Sequence, residues 1–279
     1  MPTIIIADSG STQTTWAVVS KNKKRVFQTQ GLSPYFLSEQ QTIFILKNEL
    51  LPQMKRLLPD TLYFYGTGCG NAENVKMLTK CFKAVFKGIK IYIKTDILGA
   101  ARAVCGDKKG VVCILGTGSS VCYYNGKAIT HARPGLGFIL GDEGSGSYLG
   151  KKVLQYYLND TFEPDLMDRF RMKYPADKMD ILNAVYRGAF PNRYLASFTP
   201  FLVENRGHFM VENIIEDGLN DFFFNHICKL FESWKTPLHF VGSVAFGFKD
   251  VIKDLCLAYE FEMGNMAKSP IDGLIKYHS

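Results

Sequence analysis

The sequence has no long apolar run, no dense basic tract and no closely spaced pair of cysteines. No stretch approaches the roughly 20 apolar residues that a bilayer-spanning helix needs. The start, Met1-Pro2-Thr3, lacks the basic segment and apolar core of a secretory leader, so a cytoplasmic location and no membrane partner are expected. Cysteines stand at Cys69, Cys81, Cys105, Cys113, Cys122, Cys228 and Cys256, an odd number without a Cys-x-x-Cys pair. That is the usage of a reducing compartment, and it counts against an iron–sulfur cluster, whose irons need neighbouring thiolates. His131, His208, His226, His239 and His278 form no paired ligand spacing, so no zinc site is expected. The formal charge is +7, yet the lysines are scattered, from Lys21, Lys23 and Lys24 through Lys87 and Lys90 to Lys151 and Lys152. Scattered charge favours solubility or attraction of anionic substrates over a nucleic-acid partner.

What is present reads as an α/β chain. At 279 residues with a hydrophobic fraction of 47%, the length sits near the size at which one core divides into two. Strands are expected at 3–8, 13–19 and 24–30, then a helix from Glu39 to Arg56 after the Gly31-Leu32-Ser33-Pro34 turn. Leu62-Tyr63-Phe64-Tyr65 is a short buried strand, Asn71 caps a helix through Val85, and Ile89–Ile93 is a strand leading to Asp96. A second set begins with strands at 111–115, 119–124 and 127–133 and a helix starting near Glu143. Residues 163–234 read as almost wholly helical, broken at Pro164, Pro175, Pro191 and Gly207, before a strand at Leu238–Val241. The boundary is expected within Gly106-Asp107-Lys108-Lys109-Gly110, dividing the chain into 1–107 and 108–267, with the tail 268–279 able to pack back on the first part.

Two strand–turn–strand segments carry the chemistry. Ile4-Ile5-Ile6-Ala7 breaks into Asp8-Ser9-Gly10-Ser11-Thr12 and resumes as Trp16-Ala17-Val18-Val19. Val111–Leu115 breaks into Gly116-Thr117-Gly118-Ser119-Ser120 and resumes as Val121-Cys122-Tyr123-Tyr124. Glycine lets backbone N–H groups approach an anion while the hydroxyl residues add donors, and Asp8 at a strand end suits a hydrated divalent cation. Asp-Ser-Gly-Ser is equally ordinary turn chemistry. By spacing alone Asp96 reads first as a helix-capping residue and second as a carboxylate held by backbone donors. Asp142 and Glu143, in Gly141-Asp142-Glu143-Gly144-Ser145, suit an Asx-turn as well as a ligand contact. The Gly242-Ser243-Val244-Ala245 turn suits strand-to-helix packing as well as a flat ring lying on backbone.

Together, Asp8–Trp16, Leu115–Ser120, Thr95–Ala101, Gly141–Ser147 and Val241–Phe246 resemble, in order and over nearly the whole chain, the motifs of the actin-like superfamily of sugar kinases. Within it the chain is similar to N-acetylglucosamine kinases and to ATPases of the BadF/BadG type. The resemblance implies two ribonuclease H-like lobes with a nucleotide cleft between them, and a kinase that moves the γ-phosphate of ATP to an amino-sugar hydroxyl. It makes Asp96 the catalytic base and Asp8 the magnesium residue. Gly10, Ser11, Thr12, Gly116, Thr117, Gly118, Gly242 and Ser243 become the ATP site, and Ser119, Ser120, Gly135, Gly137 and Asp142 the sugar site. A homodimer is expected on the same ground. Alternatives are an ATPase that activates a redox partner and a non-catalytic nucleotide or sugar sensor. Two departures concern the sugar: Leu136 stands where the kinases carry tryptophan in a Gly-Gly-Trp-Gly motif, and their sugar-contacting asparagine after the first Gly-Leu-Ser has no counterpart in Gly31-Leu32-Ser33-Pro34-Tyr35-Phe36.

Overall fold

The computed structural model describes residues 2–21, 23–55, 58–133 and 135–279. It divides into two compact units, Met1–Lys108 with Tyr124–Ile129 and Ser269–Ser279, and Lys109–Tyr123 with Thr130–Lys268.

The first unit contains β1 (Ile4–Ser9), β2 (Gln13–Ser20), β3 (Lys23–Gln30), α1 (Glu39–Ile45), α2 (Leu51–Met54), β4 (Thr61–Gly66), α3 (Ala72–Val85), β5 (Lys90–Thr95) and α4 (Asp96–Cys105). The sheet order is β3-β2-β1-β4-β5. β1 pairs antiparallel with β2 and β2 with β3, whereas β4 runs parallel to both β1 and β5. Because successive side chains alternate between faces, Ile5, Ala7, Leu62 and Phe64 join one core with Leu78, Cys81 and Phe82 of α3. Trp16 and Phe82 pack on Phe64, with ring centroids 6.2 and 5.0 Å away. Ile6, Ala17 and Tyr65 face the other way, against the C-terminal helix Ile271–His278 through Ile271 and Leu274. Asp8 has the parity of Ile6 and so belongs to this second face, where α4 begins.

The helix expected over Glu39–Arg56 is α1 and α2 joined by a π turn at Leu46–Leu50. Pro52, in the first turn of α2, cannot donate and crowds the carbonyl of Asn48; the wider turn absorbs the mismatch. Lys55 then leaves the helix in a left-handed conformation with φ 47°, and the expected end at Arg56 lies outside the described residues.

The second unit contains β6 (Lys109–Leu115), β7 (Ser119–Asn125), β8 (Ile129–Arg133), α5 (Gly137–Leu140), α6 (Gly146–Leu158), α7 (Pro164–Lys173), α8 (Lys178–Arg187), α9 (Pro191–Ala196), α10 (Thr199–Glu204), α11 (Phe209–Phe222), β9 (Leu238–Val241), α12 (Ser243–Gly247), α13 (Lys249–Ala258) and β10 (Met263–Ala267). Its sheet order is β10-β9-β6-β7-β8, with β9 parallel to β6 and β10. The tips of β7 and β8, from Tyr124 to Ile129, group with the first unit. A core of Leu149, Phe170, Phe201, Phe222, Phe223 and Phe240 joins the sheet to helices α6, α7, α10 and α11. Helix α6 starts at Gly146 rather than near Glu143, because the Ser145 hydroxyl accepts from the Tyr148 N–H at 3.2 Å and caps it there. Residues 141–145 are thereby left as a loop. The short α5 and the edge strand β10 were not anticipated.

Both units are α/β, each a five-stranded sheet of the ribonuclease H-like kind. Among the described residues no helix is long and apolar enough to cross a membrane.

The C-terminal helix seats on α4 through Gly273, where a Cβ would stand 2.2 Å from the Ala103 carbonyl oxygen. Gly273→Ala is therefore expected to cost about 1–3 kcal/mol through overpacking. A urea unfolding midpoint equal to that of the parent would show that this close seat does not exist in solution.

Candidate active site

In the first unit the parallel pairings set Ser9 opposite Gly66 and Gly66 opposite Thr95. The carboxyl ends of β1, β4 and β5 therefore finish level, and the loops that follow them share one edge of the sheet. This is the place where open parallel sheets bind ligands.

Asp8 stands one residue before the end of β1 and Asp96 opens α4. The Thr95 hydroxyl caps α4 by accepting from the Leu98 N–H at 3.4 Å. That leaves Asp96 in the first turn, and its Oδ1 accepts from the Ile97 N–H at 2.9 Å. Burial pushes the Asp96 carboxyl above its ordinary value, while the N–H groups of Ile97 and of Asp96 itself and the Thr67 hydroxyl pull it back. Asp8 has no such compensation: burial, and then the neighbouring Asp96 charge, push it up to about 7. Two carboxylates thus share one poorly solvated corner, which opposes charging both together.

The β1–β2 turn is closed by Gly10 N–H donating to the Gln13 carbonyl at 3.0 Å. Its base is tied to the next segment: the Leu32 N–H donates to both the Ser9 and the Thr14 hydroxyl oxygens at 3.1 Å. Ser9 is fully buried in this network, so its role is structural. Gly10 and Thr12 stand exposed and Ser11 is half-buried. Gly31 backs the turn; a Cβ there would lie 2.5 Å from the Gly10 carbonyl oxygen.

Thr67 was not anticipated as a site residue. Its N–H donates to the Ser9 carbonyl at 3.0 Å, and its side chain bonds Asp96. A signal existed: Tyr65-Gly66-Thr67-Gly68 follows a strand with the same Gly-Thr-Gly succession as Leu115-Gly116-Thr117-Gly118.

The second unit repeats the arrangement. Ile114 pairs with Val241 and Val241 with Ala267, so β6, β9 and β10 also end level. The Gly116 turn is fastened to the start of α6 by the Gly146 and Ser147 N–H groups, which donate to the carbonyls of Gly116 and Thr117 at 2.8 and 3.0 Å. Gly242, at φ 125°, lies so close to β6 that a Cβ would sit 2.1 Å from the Leu115 carbonyl oxygen. Gly116, Thr117 and Ser243 line a cavity of about 350 Å³ whose remaining walls include Ala196, Pro200, Val203 and Phe248. These apolar walls come from the helical stretch 191–204 and from the residue after α12. Nothing in their spacing marks them, since only the folded helices bring them to the glycine turns.

Asp142 meets the other end of the Gly116 turn. Its Oδ1 accepts from the Ser119 N–H at 3.4 Å. Gly118 leaves room for it, a Cβ there falling 3.1 Å from the Asp142 carboxylate. Asp142 itself is left-handed at φ 57°, a conformation costly for a residue with a side chain and concentrated at functional positions. Burial first, and then the neighbouring Glu143 charge, push its carboxyl upward, against which the Ser119 N–H, His226 and Lys151 act. Gly135 lies near Ser119, at 3.9 Å from its carbonyl oxygen by the position of a Cβ, and Gly137 begins α5 on the exposed surface. Ser120 is half-buried in β7. No cluster of three or more metal-ligating side chains occurs among the described residues.

The chain is 36% identical to a Porphyromonas gingivalis protein of known structure, provisionally described as an N-acetylglucosamine kinase, with a TM-score of 0.94 over 99% of this chain and 98% of that one. It is 26% identical over 167 residues to the N-acetylmuramic acid/N-acetylglucosamine kinase of Clostridium acetobutylicum. That match covers 56% of this chain and 53% of the relative, so the chain spans about half the length of the curated protein it matches. A likeness of fold alone links it to a ROK family glucokinase from Streptomyces griseus, 13% identical with a TM-score of 0.59 over 99% of this chain and 97% of the other. The model of the BadF/BadG/BcrA/BcrD ATPase family matches residues 7–169, which take in the β1–β2 turn, Asp96, the Gly116 turn and Asp142, and the chain belongs to that family.

Proposed function

We propose that this protein is an ATP-dependent sugar kinase that transfers the γ-phosphate of ATP to a hydroxyl of an amino sugar, with N-acetylglucosamine as the foremost acceptor. The observation that carries the reading is Asp96. It is a half-buried carboxylate in the first turn of α4, oriented by the Ile97 N–H and Thr67. Phosphoryl transfer asks little covalent chemistry of a protein; it asks for positioned reactants, neutralised charge and a group that takes the hydroxyl proton. Asp96 supplies the last. Its raised proton affinity makes it a better base than a solvated aspartate, while the N-terminal end of α4 keeps its charged form available.

The 350 Å³ cavity suits the nucleoside. Its apolar walls would hold a flat base and its glycine turn would approach the phosphates, a division of roles common in ligand pockets. The Ser11 and Thr12 side chains and the Thr117 turn are the phosphate donors in this reading. Asp142, with two carboxylate oxygens, would accept hydrogen bonds from sugar hydroxyls. The names of the Porphyromonas and Clostridium relatives support an amino-sugar acceptor.

Magnesium fits the donor set. Asp8 offers hard carboxylate oxygen beside a second carboxylate, with no basic side chain contributing to its shift. Mg²⁺ takes one or two carboxylates together with substrate phosphates and water. When bound it would neutralise phosphate charge, and Asp8 would hold it through water. Exclusion of water around the reacting groups would limit idle ATP hydrolysis.

An ADP-release assay across amino sugars and hexoses tests the assignment, with N-acetylglucosamine expected to give the highest kcat/KM; hydrolysis of ATP without transfer to any sugar would overturn it. Asp96→Asn is expected to lower kcat by about 100- to 10,000-fold, the usual worth of a general base, while calorimetric ATP affinity changes little. A variant with near-parental turnover would remove Asp96 from the base role.

Asp8 gives a pH-dependent expectation. A carboxyl whose proton affinity rises on folding binds its proton more tightly folded than unfolded, so stability falls as pH climbs from its ordinary 3.8 through about 7. In the ligand-free protein Asp8→Asn should therefore raise Tm by more at about pH 8 than at about pH 5, where the unfolded chain has released the Asp8 proton but the loss of stability is still partial. Equal shifts at both values would contradict the buried charge.

A further inference from the structure

Glu143 and His226 form a paired contact that the nucleotide and sugar assignments leave unused. Glu143 Oε2 and His226 Nε2 are 2.8 Å apart, with side chains 17% and 12% exposed. Glu143 follows Asp142 directly. His226 lies in the π turn Phe223–Ile227 that continues α11, with its ring 5.4 Å from that of Phe222.

The 141–145 loop is held to α11 at further points. A Cβ on Gly144 would stand 2.8 Å from the Phe222 Cβ, which shows how tightly the loop lies there. Beyond the loop, the Tyr148 hydroxyl donates to Asp221 Oδ2 at 2.6 Å. Immediately before these attachments stands Asp142, left-handed at φ 57°. Its carboxylate meets the Ser119 N–H on one side, and its backbone runs straight into Glu143 on the other. A residue with a side chain keeps such a conformation only where surrounding contacts impose it. The Ser119 contact, at 3.4 Å, is a long hydrogen bond. The Glu143 contact is shorter and poorly solvated, where hydrogen bonds to charged groups are stronger.

We propose that Glu143 and His226 are a positioning pair that holds Asp142 in its left-handed conformation, and thereby sets the affinity for the sugar. The inference rests on the reading of Asp142 as the sugar-binding carboxylate. The π turn matters to it, because π turns redirect side chains within a helix and occur disproportionately at functional sites. Glu143 and His226 touch no reacting atom in this scheme; they act through Asp142.

The experiment compares steady-state kinetics of His226→Ala, His226→Gln, Glu143→Ala and Asp142→Asn, with N-acetylglucosamine and ATP varied in turn. His226→Ala and Glu143→Ala are each expected to raise KM for the sugar about ten-fold, equivalent to about 1.4 kcal/mol, with kcat and KM for ATP changed less than about two-fold. His226→Gln, whose amide nitrogen can occupy the place of Nε2 and donate to Glu143, should restore most of the loss. If Asp142→Asn raises the sugar KM while His226→Ala and Glu143→Ala do not, the positioning pair is overturned and the Asp142 reading stands. If Asp142→Asn leaves the sugar KM unchanged, that reading falls and the inference with it. A rise in KM for ATP equal to that for the sugar, or failure of His226→Gln to rescue, would mark the pair as general packing and overturn the proposal. Should His226→Ala not fold, Glu143→Ala against His226→Gln carries the same comparison.

Discussion

The structure depends on the register of its parallel strands. Ser9, Gly66 and Thr95 are level across one sheet, and Ile114, Val241 and Ala267 across the other. A slip of one residue in β1 would turn Asp8 toward the core of Phe64 and Phe82 and move Ile5 and Ala7 out of it, onto the face covered by the C-terminal helix, because strand side chains alternate between faces. Ile5, Ile6 and Ala7 are all fully buried, so both faces of β1 are apolar, and what opposes that slip is the cost of driving the Asp8 carboxylate into the core. The same alternation that buries Ile5 and Ala7 therefore fixes where Asp8 points, and the parallel pairing with β4 brings the start of α4 beside it.

Both units then carry an electrostatic or conformational cost at the strand ends. In the first, Asp8 and Asp96 are partly withdrawn from water near one another; burial outweighs the hydrogen bonds that favour the charged form of Asp96, and the Asp96 charge adds to burial in raising Asp8. In the second, Asp142 occupies a left-handed backbone conformation. Such costs are sustained by the surrounding core: Ile5, Leu62 and Leu78 beneath one site, Leu115, Leu149 and Phe222 beneath the other, all fully buried. Glycines occupy the points where loop and strand come too close for any side chain, at Gly31 against the β1–β2 turn and at Gly242 against Leu115.

The strands of the first unit were legible because each is short, β-branched or aromatic, and bounded by turn residues, as in Ile4–Ser9 and Thr61–Gly66. The helix at Ala72–Val85 was announced by Asn71, whose side chain accepts from the N–H groups of Glu73 and Asn74. The start of α6 was misread by a few residues, since Asp142 and Glu143 look like capping residues and the true cap is Ser145. β10, Met263–Ala267, escaped notice because Met263-Gly264-Asn265-Met266 has little β-branched character; its pairing with β9 creates it.

By itself the sequence determined the strand–turn pattern at Asp8–Thr12 and Gly116–Ser120, the helix opened by Thr95-Asp96 and the class of fold, since turn chemistry and hydrophobic period act over a few neighbouring residues. Only the tertiary structure decided which distant groups meet. Thr67 reaches Asp96 through the level ends of β4 and β5, and Ala196, Pro200, Val203 and Phe248 close a cavity on Gly116 and Ser243. His226 reaches Glu143 across 83 positions of chain. Those contacts follow from helix packing and strand register, which depend on the whole core rather than on any local run of residues.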